Sequence, residues 1–211
     1  VDGDKSAVLF DQSTNYALSG TRPFITNCNQ QFTYMAWVYP TNLGALADRA
    51  IIGFGETNDS NYAANFILYD STGEVAMRNG DTIVIHSGLF VTLNQWNLVG
   101  VSSRNATATF ICNGRIATVT GFNNAGYNIG VGNAFVMGVR FVNSAAVAGT
   151  YFGGRIEGWA AYTRALSSAE MLSLYSPATR WQLRYAPGRK TWSCGSAATG
   201  NRRRRVIIGA G

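Results

Sequence analysis

Short apolar runs recur along most of the chain, each closed by a polar or glycine-bearing turn, and this is the spacing of β-strands rather than helices. "AVLF" and "YALSG" are two such runs near the start, split by the turn-like "DQSTN". In "QFTYMAWVYP" (31–40), alternation places Phe32, Tyr34, Ala36 and Val38 on one face and Thr33, Met35, Trp37 and Tyr39 on the other. Both faces are apolar, which predicts a central strand covered on two sides and closed by Pro40. "RAIIGFGE" (49–56) predicts a second strand, "NFILYDSTGEVAMRNG" a hairpin around 71–73, and "DTIVIHSG" a further strand. "NQWNLVGVSSR" and "ATATFICNGRIATVTG" add three strands, the last two joined by Asn113-Gly114, a pair suited to a type I′ turn. "YNIGVG", "FVMGVRFV" and "YFGGRIEGWAAYT" (151–163) continue the pattern.

The one helix predicted is "LSSAEMLSLYSP", with Ser167 as its cap and Glu170 completing a capping box. Leu166 and Met171 are spaced for a hydrophobic staple, and Pro177 follows the end. The sum is an all-β, two-sheet antiparallel β-sandwich over residues 1–175, with one short helix. Residues 176–211 carry no hydrophobic period able to build a core and are expected to form an extended basic C-terminal arm.

Charge sharpens that division. Residues 1–170 contain nine Lys/Arg and eleven Asp/Glu, whereas 171–211 contain eight Lys/Arg and no acid, so −2 and +8 make up the net +6. Within the arm, Arg180, Trp181, Arg184, Tyr185, Arg189, Lys190 and Trp192 alternate cations with aromatics, the residue types that dominate protein interfaces. Arg202, Arg203, Arg204 and Arg205 then precede "VIIGAG", a candidate added strand. Aromatics do not interleave with this last cluster, so a protein partner is expected ahead of nucleic acid. Cys28, Cys112 and Cys194 form no C-x-x-C pair and are odd in number, which predicts free thiols of a cytoplasmically made protein. No apolar run reaches 18 residues, the start does not read as a signal peptide, and no cofactor is expected.

The ordered set Ala36-Trp37-Val38, Trp96, Asn113-Gly114 and Gly154 through Glu170 resembles the concanavalin A-like, laminin-G-type jelly-roll. The resemblance implies the sandwich, and implies that Trp37, Trp96 and Trp159 fill its core. Glucanases of that fold set acids in an E-x-D-x-x-E pattern on one strand, which this chain lacks, so catalysis is not expected. Glu157 and Glu170 read as structural, and the lone His86 cannot build a histidine metal site. "ETNDSNY" (56–62) lacks regular calcium-loop spacing and reads as a solvated loop. "RWQLRYAPGRKTW" (180–192) is similar to endings found after such domains in tailed-bacteriophage and prophage proteins. That likeness implies a non-enzymatic virion protein made in a host bacterium. The expected role is head decoration or attachment to tail or fibre, in many symmetric copies, with the arm anchored on other capsid or tail proteins. The alternative is a carbohydrate-binding, lectin-like module for a host surface glycan, with Tyr62, Tyr69 and Tyr127 as candidate stacking residues.

Overall fold

The structure, a computed structural model, describes residues 7–18, 31–44, 48–55, 64–79, 83–121, 134–142 and 145–176. These form, in chain order, β1 (Val8–Asp11), β2 (Ala17–Leu18), β3 (Gln31–Asn42), β4 (Arg49–Gly55), β5 (Ala64–Tyr69), β6 (Glu74–Asn79) and β7 (Ile83–Phe90). They continue through β8 (Asn97–Arg104), β9 (Thr107–Cys112), β10 (Arg115–Thr120), β11 (Ala134–Met137), β12 (Phe141–Val142), β13 (Ala145–Ala146) and β14 (Gly153–Tyr162) to the helix α1 (Ser168–Tyr175). The front sheet runs β1-β14-β3-β8-β9-β10 and the back sheet β2-β11-β4-β5-β6-β7, while β12 and β13 form a separate ribbon. Every pairing in both sheets is antiparallel. The protein is therefore the two-sheet sandwich with one short helix that the alternation predicts.

The main core lies between the sheets. Phe32, Tyr34, Ala36 and Val38 of β3 meet Phe66 and Leu68 of β5 and Val75 and Met77 of β6 there, all fully buried. The opposite face of β3 is also covered: Met35 joins Leu98, Ile111, Leu166, Met171 and Leu174 beneath α1. Two-sided burial is what the apolar character of both faces of β3 requires. Thr33, on that second face, donates from Oγ1 to the Arg164 carbonyl (2.9 Å) and accepts from the Leu166 amide (2.9 Å), tying β3 to the entrance of the helix.

Two details depart from the sequence reading. β3 does not stop at Pro40 but runs to Asn42. Its pairing with β8 ends at Val38, so the missing proline N–H falls where only β14 flanks the strand. A register shift opposite Pro40 places Gly154 at φ +138°, where a Cβ would lie 2.1 Å from the Tyr39 carbonyl oxygen, so only glycine fits. Nor do the three tryptophans fill the inter-sheet core. Trp37 has the parity of Met35 and packs beside α1, its ring 6.2 Å from Tyr175. Trp96 precedes β8 and meets Tyr39 edge-on at 5.5 Å. Trp159 sits in the β14 irregularity between Glu157 and Ala160, remains 38% exposed, and stacks on Phe135 at 4.8 Å.

Local chemistry behaves as read elsewhere. Asn113 and Gly114 take φ values of +50° and +81° between β9 and β10, as a type I′ turn demands. Cys112 is a free buried thiol, and burial pushes its pKa up to about 11 against the opposing charge of Arg115. The capping box is complete: the Glu170 amide donates to Ser167 Oγ (3.3 Å) and the Ser167 amide to Glu170 Oε2 (2.9 Å). Arg164 adds a two-pronged contact to the same carboxylate, at 3.0 and 2.6 Å.

Arg164, aided by the Ser167 amide, holds the Glu170 carboxyl at a pKa of about 2 instead of 4.5. The cap therefore stabilises fully above about pH 4.5, fades as the pH falls, and is lost below about 2. Both side chains are substantially exposed, so solvent screening limits the effect. Glu170→Gln should cost about 1 kcal/mol at pH 7. The difference from the parent should shrink toward zero near pH 2, as read by denaturant melts across that range.

Candidate functional site

The outer face of the back sheet, away from the core, carries the polar residues. Because Phe66, Leu68, Val75 and Met77 point inward, alternation sends Asn65, Ile67 and Tyr69 of β5 and Glu74, Ala76 and Arg78 of β6 outward. Register then sets Gly53, Asn65, Arg78 and Val84 across one row and Ala50, Ile67, Ala76 and His86 across the next. Ala50, Ile67 and Ala76 form a small buried apolar patch with Tyr69 and Val84 against it.

Beside this patch opens a pocket of about 370 Å³ lined by Asp48, Tyr69, Asp70, Arg78, Arg140, Val147, Ala148 and Thr150. Its charged centre is Asp48, only 5% exposed, in the segment just before β4. Arg78 Nε donates to Asp48 Oδ2, and Arg140 Nη1 lies 3.9 Å from the same oxygen. One buried carboxylate thus faces two guanidinium groups brought from β6 and from the turn between β11 and β12. Such a cluster is held together by mutual compensation, since each charge alone would be costly to bury.

A turn built from residues 147–150 forms one wall. Thr150 Oγ1 accepts from the Arg140 amide (3.1 Å) and donates to the Val147 carbonyl (2.8 Å), while the Val147 amide donates to the Arg140 carbonyl (2.9 Å). Arg49 reaches over from β4, donating from Nη1 to the Gly149 carbonyl and from Nε to the Leu43 carbonyl (3.1 Å). Burial lowers the pKa of this guanidinium, and neighbouring Asp48 works the other way.

The opposite wall is the end of β5. Tyr69 is half-buried, its ring edge-on to His86 at 4.6 Å. Asp70 follows at φ +52°, opening the 70–73 turn, and its Oδ1 accepts from the Ser71 amide at 2.6 Å. Glu74 is 9% exposed; its carboxylate meets His86 Nδ1 at 2.8 Å and accepts from the Gly88 amide at 2.7 Å. Asn65, paired with Arg78 and fully buried, has neither amide atom hydrogen-bonded. Among the described residues no group of three or more His, Cys, Asp or Glu side chains could hold a metal ion.

Of the residues singled out from sequence, Tyr69 lies at this pocket, whereas Tyr62, Tyr127 and the 56–62 loop lie outside the described residues. So does the whole set of arm residues from Arg180 to Arg205, together with Cys28 and Cys194. The sequence reading missed Asp48, Arg78 and Arg140 as a group. Each stands alone in its own segment, and only the sheet register unites them. The available signal was a charged residue in a strand whose alternate positions are apolar, as Arg78 is beside Val75 and Met77 in β6.

A family model, the concanavalin A-like lectin/glucanases superfamily, matches residues 11–171, and the chain belongs to this family. No curated protein matches the chain. Among solved structures it is similar to the CBM40 carbohydrate-binding module of the Ruminococcus gnavus IT-sialidase: 19% identity, 82% of this chain and 97% of that one, TM-score 0.63. The same module has been solved bound to α2,3-sialyllactose. A heptameric SAP-like pentraxin from Limulus polyphemus is similar at 17% identity, 83% and 84% coverage and TM-score 0.64. Domain 4 of AbnA, a GH43 extracellular arabinanase from Geobacillus stearothermophilus, was solved with arabinotriose. It is similar at 16% identity, 78% and 89% coverage and TM-score 0.55.

These findings correct the phage assignment. The similar structures named are sugar-binding and pentraxin domains rather than virion components, so the virion role, capsid or tail partners and virion location fall together. That assignment rested on 180–192 alone, a stretch beyond the end of the 11–171 family match. The domain resembles a sialidase's carbohydrate-binding module in fold.

The wall of the pocket depends on Thr150. Thr150→Val keeps the shape but strips the Arg140 amide of its buried acceptor, and should cost about 1–3 kcal/mol in a denaturant melt.

Proposed function

We propose that this domain is a carbohydrate-binding, lectin-like module whose sugar site is the pocket on the outer face of the back sheet. The observation that carries the reading is the lining of that pocket: a buried polar floor of Asp48, Arg140 and Thr150 beside the half-buried ring of Tyr69. Sugar hydroxyls both donate and accept hydrogen bonds. Guanidinium groups supply donors, carboxylates supply acceptors, and a tyrosine supplies an apolar face with a polar tip. A concave site with few convergent polar groups suits a small ligand of this kind.

Support comes also from relatives of the same fold, since a sialidase module binds sialyllactose and an arabinanase domain binds arabinotriose.

The test is a glycan array probed with the full chain, followed by calorimetric titration of the strongest oligosaccharide. Tyr69→Ala removes the aromatic wall and should weaken that binding by about tenfold or more, equivalent to about 1.4 kcal/mol. Absence of any glycan ligand, or undiminished binding by a folded Tyr69→Ala variant, would count against the site.

A further inference from the structure

We infer that the pocket selects neutral, hydroxyl-rich sugars over sugars bearing a carboxylate, an inference that rests on the carbohydrate-binding reading above. The argument is local charge. The lining holds two guanidinium groups, Arg78 and Arg140, and two carboxylates, Asp48 and Asp70, so its ionised side chains sum to zero.

The two arginines are also already engaged. Arg78 Nε donates to Asp48 Oδ2, and Arg140 Nη1 faces that oxygen at 3.9 Å. The protein has thus built its own carboxylate into the position where an acidic sugar would place one. A carboxylate ligand would have to displace Asp48 from its guanidinium partners or lie beside it as a like charge, and Asp48 is too buried for water to screen it well.

The rest of the face leans the same way. Asp70 stands at the rim, and Glu74 sits opposite Tyr69 in register, its carboxylate taken up by His86 and the Gly88 amide. A built-in carboxylate that repels an acidic competitor is a means of selecting between two ligands that share the same fold of receptor.

The experiment probes the full chain on an array of neutral and sialylated oligosaccharides, with arabinotriose and α2,3-sialyllactose titrated in solution. The expected result is that the bound glycans are neutral and that α2,3-sialyllactose binds at least about tenfold more weakly than the best neutral oligosaccharide. Asp48→Asn removes the built-in carboxylate that both guanidinium groups face and should raise α2,3-sialyllactose binding by about tenfold or more. Asp70→Asn, at a half-buried position of the lining, should shift it the same way by a smaller factor and serves where Asp48→Asn fails to fold. Preference of the parent for sialylated glycans, or no gain in sialyllactose binding by the folded variants, overturns the inference while leaving the carbohydrate-binding reading intact. Binding of no glycan by parent or variants sinks that reading itself.

Discussion

Everything in this molecule hangs on the two-residue alternation of β3 being apolar on both sides. Its even positions, Phe32 to Val38, enter the core between the sheets, and its odd positions Thr33 and Met35 lie under the helix entrance. A strand buried on both faces cannot slip by one residue without exchanging the two sets, so its register is fixed from both directions at once. The front sheet thus packs α1 on its outer face, while the back sheet sets one face against the core and buries a smaller apolar patch beside the pocket on the other.

That division explains the placement of the charge cluster. The front sheet's outer face is partly consumed by Leu166, Met171 and Leu174. Around the pocket the back sheet's outer face carries the buried patch of Ala50, Ile67 and Ala76, with Tyr69 packed against it and Arg78 in the next row. Asp48 and Arg140 enter from outside the strands, at the two places where the chain arrives at β4 and leaves β11. The Arg49 contacts to the Gly149 and Leu43 carbonyls fasten those arrivals to each other.

The parts of the fold legible in the sequence are the ones settled within a few residues. The alternation of 31–40, the Asn113-Gly114 turn and the Ser167–Glu170 cap each depend on neighbours a reader can see side by side. Register shifts were not legible. The bulge between Glu157 and Ala160 sets Trp159 against Phe135 at the edge of the core, still 38% exposed, and the irregularity at Gly153 and Gly154 lets β3 run past Pro40. Both depend on how two strands distant in sequence align, and a large aromatic on a strand reads as core until that alignment is known. The same limit hid the site. Tyr69 could be marked as an exposed aromatic from its place at a strand end, but Asp48, Arg78 and Arg140 carry no shared motif and meet only across the sheet.

Net charge is the clearest case of a whole-chain quantity misleading about a local one. A chain with +6 overall invites an anionic ligand, yet the described pocket contains as many carboxylates as guanidinium groups. Exposed charges act over roughly a Debye length, about 8 Å in physiological salt, so ligand choice is decided by the groups that line the site rather than by the sum over the sequence. Within that distance the dominant feature is a buried carboxylate held by two arginines. Its shared oxygen is occupied, so it acts as a fixed electrostatic and hydrogen-bonding element of the wall. That role suits recognition, where the receptor should be rigid and already satisfied before the ligand arrives. The same interaction that allows Arg140 to be buried therefore also fixes the charged wall of the pocket.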